Sequence, residues 1–170
     1  MAVLHLLRHA KSDWGNFGLT DHDRPLAPRG ERAAVLMGAY LQQEGIAPDL
    51  VLCSSALRVA QTWARIAPFV PEGTEVQVQP AIYGAGAMEL LALARSVGDG
   101  IDHLMMVGHN PGTAFLAAHL CASGAPEELR AMRQKYPTAG LCSIEFDGPF
   151  STLAAGDGTL LRFVTPKKLV

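Results

Sequence analysis

The chain has 170 residues, 49% of them hydrophobic and 18% charged, and carries 16 acidic and 14 basic side chains for a net charge of −2 at pH 7. That length is most simply one domain, 1–170, and it buries enough of its unfolded surface to need no disulfide or metal staple. A balance this close to neutral leaves no broad electrostatic footprint for nucleic acid or an anionic membrane, so any bound anion must be held by a local cluster.

Val3–Leu7 is a short apolar run that predicts a strand, and Arg8–Pro28 reads as a long polar loop. Arg29–Glu44 has Ala33, Leu36, Met37, Tyr40 and Leu41 at helical spacing, with Gly45 as its stop. Leu50–Cys53 predicts a buried strand, after which Ser54 or Ser55 could cap a helix running to Ile66. A strand over Val76–Gln79 precedes a helix over Ala87–Val97, and the apolar strand His103–Val107 precedes a helix over Gly112–Ala122. One more helix, Pro126–Lys135, leads to strands at Leu141–Phe146 and Thr159–Val164. Uninterrupted apolar strands alternating with helices predict an α/β fold, its central sheet largely parallel and covered on both faces. The last two strands follow each other without a helix, which predicts one antiparallel edge.

Cys53, Cys121 and Cys142 are an odd, widely spaced set with neither a C-x-x-C pair nor zinc-type spacing. They read as buried free thiols in a reducing compartment. The N-terminal apolar run is too short for a signal peptide and has no basic region before it. No apolar stretch reaches the roughly 18 residues that would cross a membrane. The expected location is the cytoplasm.

Three of the strand exits carry similar chemistry. The first delivers Arg8 and His9, the second passes through Ser54 and Ser55 to Arg58, and the third places His109 and Asn110 on a Gly-bracketed turn. Ligands of open α/β sheets bind at the carboxyl ends of the strands. Parallel strands would therefore gather two arginines, two histidines and several helix starts into one small volume. That much positive potential calls for an anion, and phosphate suits both a guanidinium fork and free helix N–H groups. Taken singly, each residue has an ordinary reading: His109 satisfies a turn, Arg58 pairs on a helix surface, and Asn110-Pro111-Gly112 is turn chemistry. Taken together, they describe phosphoryl transfer. A neutral His9 with one nitrogen fixed by a backbone carbonyl could attack phosphorus with the other, Arg8 and Arg58 would clamp the oxygens, and His109 would brace the transition state. No acidic cluster that would hold a metal is apparent, and no cofactor is implied.

The segments LLRHAKSDW, DRPLAPRG, SSALRVAQT and VGHNPG resemble the histidine phosphatase superfamily, most closely its small SixA-type phosphohistidine phosphatase branch, from Leu4 to the region of Pro166. The resemblance implies a phosphoglycerate mutase-like three-layer α/β sandwich. It makes His9 the phospho-accepting nucleophile, with Arg8, Arg58 and His109 as the phosphate pocket and Asn110 in support. Lys11 and Ser12 would line the entrance, while Arg24 and Arg29 either contact substrate or form ion pairs that anchor the loop. Two positions depart from the family pattern: Ala10 follows the histidine where many members have Gly, and Gly84 stands where mutase-like members place a Glu proton donor. Glu89, a few residues on, reads as an exposed helix residue.

An alcohol leaving group needs such an acid, whereas imidazole, whose cation has a pKa of about 6.5, leaves with little help. A site without an acid and without an insertion to cover it fits a phosphohistidine carried on a protein, a histidine phosphotransfer protein among the candidates. Three other readings stay open. A small-molecule phosphomonoesterase would need Glu89, Asp21 or Asp23 as its acid. A phospho-ligand binding module would have lost turnover. A metal hydrolase would use the six histidines, although of these His5, His22, His103 and His119 lack ligand spacing. Trp14 and Trp63 fit core, pocket rim or interface equally well.

Overall fold

A computed structural model describes residues 1–170. Its seven strands are β1 (Ala2–Arg8), β2 (Leu50–Cys53), β3 (Glu75–Val78), β4 (His103–Gly108), β5 (Cys121–Gly124), β6 (Leu141–Phe146) and β7 (Gly158–Val164). The five α-helices are α1 (Pro28–Gln43), α2 (Leu57–Ile66), α3 (Ala87–Arg95), α4 (Gly112–Leu120) and α5 (Pro126–Gln134). All strands join one sheet in the order β3-β2-β4-β1-β6-β7-β5. β1 to β4 run parallel, β6 runs against both β1 and β7, and β5 lies parallel to β7 at the edge. The architecture is the mainly parallel α/β sandwich expected, and its last two strands in the chain pair antiparallel as expected.

The continuous apolar strands follow from burial on both faces. In β4, Leu104 and Met106 point to a core that includes Leu90, Leu91 and Leu116 from α3 and α4. Met105 and Val107 point to the other core, with Met37 and Leu41 of α1 and Val59 and Trp63 of α2. Trp63 is thus a core residue. With helices on both sides, the two-residue strand period leaves no polar face.

The segment after Ala10 is less free than a long polar loop would be. Ser12 bridges to Leu26 in antiparallel fashion, and Asp21–Asp23 forms a 3-10 turn. The Lys11 carbonyl accepts the Ala27 N–H at 2.9 Å, and a Cβ on Gly30 would stand only 2.0 Å from that same oxygen. Helix α1 therefore seats directly on the backbone next to His9, a contact that only glycine allows.

Helix α3 stops at Arg95, two residues short of the expected Val97, and two further helix ends differ from expectation. Helix α4 stops at Leu120, and the next four residues, assigned to helix from sequence as far as Ala122, go extended as β5 against β7. Helix α2 has Ala56 at its N-cap with no side-chain cap, so neither Ser54 nor Ser55 caps it. Both serines bond histidines instead.

Candidate active site

Register places the histidines. Arg8 of β1 is the Cα partner of Gly108 in β4, and the His9 N–H donates to the Gly108 carbonyl at 3.0 Å. His9 and His109 therefore leave adjacent parallel strands side by side, with ring centroids 5.2 Å apart. β2 flanks β4 on its other side, and the Ser54 N–H donates to Val107 at 3.0 Å. Arg58, in the first turn of α2, reaches back from there to both rings.

The hydrogen bonds fix the tautomers, because a carbonyl only accepts and a guanidinium only donates. His9 donates from Nδ1 to the Ala10 carbonyl at 2.7 Å, so Nε2 keeps its lone pair. Arg58 Nε lies 3.4 Å from that Nε2, and Arg58 Nη2 lies 3.3 Å from His109 Nδ1. His109 then carries its proton on Nε2, which donates to Ser54 Oγ at 2.7 Å. Burial, opposed by the Ala10 bond and helped by His109, Arg58 and Arg8, holds His9 well below the ordinary histidine value, at about 3. Burial and the Arg58 charge lower His109 to about 4. Both rings are neutral at pH 7.

Arg8 Nη1 and Asn110 Nδ2 each donate at 2.9 Å to one acceptor, the Tyr136 carbonyl. Arg8 Nε is buried without a partner, a spare donor beside His9. Asn110 Oδ1 is likewise unpaired. Ser12 is buried and accepts from Arg24 Nη1 at 2.6 Å, so its hydroxyl braces the loop. Lys11 is half-buried and lines a neighbouring cleft with Arg29 and Lys135. Arg24 lies within the loop, its Nε and Nη2 each 3.1 Å from Asp21 Oδ1 and its guanidinium 3.4 Å over the exposed Trp14 ring. Arg29 is exposed and takes part in no ion pair.

Sequence reasoning weighed Asp21 only as an acid. In the structure it is the counter-ion of the site. Its carboxylate takes Arg58 Nη2 at 3.1 Å and the Tyr83 hydroxyl at 2.6 Å, and its carbonyl takes Arg58 Nη1 at 2.7 Å. The Tyr83 bond, followed by Arg24 and Arg58, holds its carboxyl down at about 2. Asp23 is exposed beside His22. Glu89 is exposed and accepts the Gly86 N–H at 3.1 Å, closing the first turn of α3. Tyr83, missed from sequence, follows the exit of β3, the one parallel strand end whose residues carry no obvious charge. Ser54 was considered only as a cap.

A family model for the histidine phosphatase superfamily (branch 1) matches residues 4–89. The uncharacterised Mycobacterium tuberculosis protein Rv1276c is 36% identical over 163 residues, which is 95% of this chain and all of that one. The chain belongs to the histidine phosphatase superfamily. A solved structure assigned as phosphohistidine phosphatase SixA from Nakamurella multipartitia superposes with a TM-score of 0.83 at 30% identity, covering 97% of this chain and 96% of that one. Phosphohistidine phosphatase SixA of Escherichia coli K12 is 24% identical over 152 residues, 88% of this chain and 86% of its own. Within the superfamily the chain falls in the SixA-type branch, and that membership supports a phosphatase. No helix is long and apolar enough to cross a membrane.

Three buried histidines, two of them in the candidate site, also govern acid stability. His5, bonded by its ring to Ser143 Oγ at 2.8 Å and His103 Nδ1 at 3.2 Å, is lowered to about 3, mainly by burial. His5, His9 and His109 are thus neutral when folded but take up protons near pH 6.5 when unfolded. Their stabilising contribution is complete above about pH 6.5 and is lost as pH falls towards their folded values of about 3 to 4. Unfolding free energies from urea melts should drop between about pH 6.5 and 5, by about 1 kcal/mol per pH unit for His5 and for His9 and by less for the more open His109. A flat profile over that range would contradict the neutral assignments.

Proposed function

We propose that the protein is a phosphohistidine phosphatase working through a covalent intermediate on His9, with Arg8, Arg58, His109 and Asn110 holding the phosphoryl group, Lys11 at the entrance and Ser12 bracing the loop beneath it. In the first step the His9 Nε2 lone pair bonds to phosphorus while the P–N bond to the substrate imidazole breaks. That imidazole keeps the bonding pair and is protonated from solvent. In the second step water attacks phosphorus, the His9–P bond breaks, its electron pair returns to Nε2, and inorganic phosphate leaves. The arginines carry the charge on the transferring oxygens, so the reading needs neither metal nor cofactor. Arriving phosphate would raise the His109 pKa, letting its Nδ1 take up a proton and donate to an oxygen.

The observation that carries the substrate reading is the state of the carboxylates. Asp21 stands at the pocket but is ionised and held by three partners, and Glu89 is spent on a helix cap. Neither is poised to protonate an alkoxide, whereas an imidazole needs no such donor. The substrate is then a phosphorylated protein, with a histidine phosphotransfer protein one candidate. Three buried free cysteines fit the reducing cytoplasm in which such a partner would be met.

The test is a side-by-side rate measurement on a phosphohistidine-bearing protein and on phosphate monoesters. Phosphohistidine turnover should be faster by about 100-fold or more, and Asp21→Asn should keep it within about tenfold. Faster ester hydrolysis that Asp21→Asn abolishes would replace this reading with that of a phosphomonoesterase using Asp21 as its acid.

A further inference from the structure

Near the proposed phosphate pocket lies a cleft of about 830 Å³ between the start of α1, the end of α5 and the C-terminal turn. Lys11, Arg29, Lys135, Lys167 and Lys168 line it, and no Asp or Glu does. The chain has only four lysines, and all four are here. None of the five cations pairs with a carboxylate, although Arg24, Arg58, Arg65 and Arg162 elsewhere all do. Lys168 alone has a bonded ammonium, donating to the Phe163 carbonyl at 3.0 Å. In a chain of net charge −2, such a concentration of unpaired charge of one sign is a feature of this face, not of the composition.

Two segments of chain link the cleft to the phosphate pocket. Lys11 is two residues from His9 on one wall. On the other, Pro137 and Thr138 connect the Tyr136 carbonyl that holds Arg8 to Ala139, whose N–H donates to the His9 carbonyl at 2.9 Å. A protein whose phosphorylated side chain reaches His9 would have this cleft close to the point of insertion.

We infer that the cleft docks an acidic surface of the phosphoprotein substrate, placed next to its phosphohistidine; the inference rests on the function proposed above. Lysine ammoniums are compact point charges on flexible stems, and here they come from three separate segments of the chain, at Lys11, Lys135 and Lys167–Lys168, with no fork of the kind that grips a single phosphate. Spread cations suit a row of carboxylates. They speed encounter and set register while leaving the chemistry to the pocket.

The experiment compares wild type with K135E/K167E/K168E, three exposed positions outside the phosphate pocket. The substrates are free phosphohistidine, a peptide with phosphohistidine flanked by glutamates, and the same peptide with glutamines in their place. Wild type should show a kcat/KM about tenfold higher on the glutamate peptide than on the glutamine peptide at low salt, a gap that closes as salt rises. The triple variant should lose that preference while keeping wild-type activity on free phosphohistidine, and K135Q/K167Q/K168Q should lose part of it. An unchanged preference in the triple variant, or an equal fall on all three substrates, overturns the inference. If wild type turns over none of the three, the proposed function fails, and the cleft is then read by fluorescence anisotropy with the unphosphorylated glutamate peptide. Binding that the triple variant abolishes supports the acidic dock. Absence of binding, or tighter variant-sensitive binding of tripolyphosphate or an oligonucleotide, refutes it.

Discussion

Replacing His9 with alanine is expected to lower phosphatase activity by about 10⁴-fold or more, because no other group offers a lone pair to phosphorus. The Ala10 carbonyl at 2.7 Å takes the Nδ1 proton and orients the ring, and burial keeps the imidazole unprotonated. His109 is the other ring in the pocket, but its Nε2 is bonded to Ser54, and no backbone carbonyl aims its Nδ1 as the Ala10 carbonyl aims Nε2 of His9, so it is a poor substitute for the attack. Acid-labile phosphate should be trapped on wild-type protein quenched during turnover and be missing from the variant. Since the alanine also removes a buried ring, a urea melt should accompany the assay to show that the fold persists. Near-wild-type turnover by a folded His9→Ala protein would end the covalent mechanism.

Arg58→Ala should cost about 10³-fold in kcat/KM, within the range found when a transition-state arginine or oxyanion donor is removed. Arg58 is the one residue that touches His9, His109 and Asp21 together. Its loss removes a clamp on the phosphoryl oxygens and leaves the Asp21 carboxylate facing the pocket, where it repels an incoming phosphate. Lysine at this position should recover little, since a single ammonium cannot serve three directions. The acid limb of the pH profile should move up slightly, because a positive charge that lowers the His9 pKa is gone while the larger effect of burial stays. Arg58→Ala with more than about a tenth of wild-type activity would show that Arg8 alone suffices as the clamp.

The sequence made the parallel half of the sheet readable because each of its inner strands is a continuous apolar run ending at a change of chemistry. Val3–Leu7, Leu50–Cys53 and His103–Val107 all lie within one residue of the observed strands. β5 was not readable. Cys121–Gly124 has no β-branched or aromatic residue, and only pairing with Gly158 and its neighbours, far along the chain, holds it extended. Gly158 permits that approach, since a Cβ there would stand 2.4 Å from Ile144 Cγ2 and 3.0 Å from the Leu120 carbonyl. At the site, residues whose charge or ring announces them were visible: Arg8, His9, Arg58 and His109. Tyr83, Ser54 and the Tyr136 carbonyl act through hydrogen bonds set by tertiary approach, and nothing in their local sequence marks them. Asp21 was visible as a carboxylate but not as a counter-ion, because its partners Arg58 and Tyr83 come from α2 and the exit of β3.

The gathering of every lysine on one face has a practical side. Amine-reactive reagents, whether dyes, biotin esters or activated resins, will find no lysine on any other face of the domain. Enzyme immobilised through primary amines will sit largely with its cleft against the support. A surface-bound binding assay prepared that way would mask the docking face it was built to measure, so attachment through a terminal tag is the sound choice.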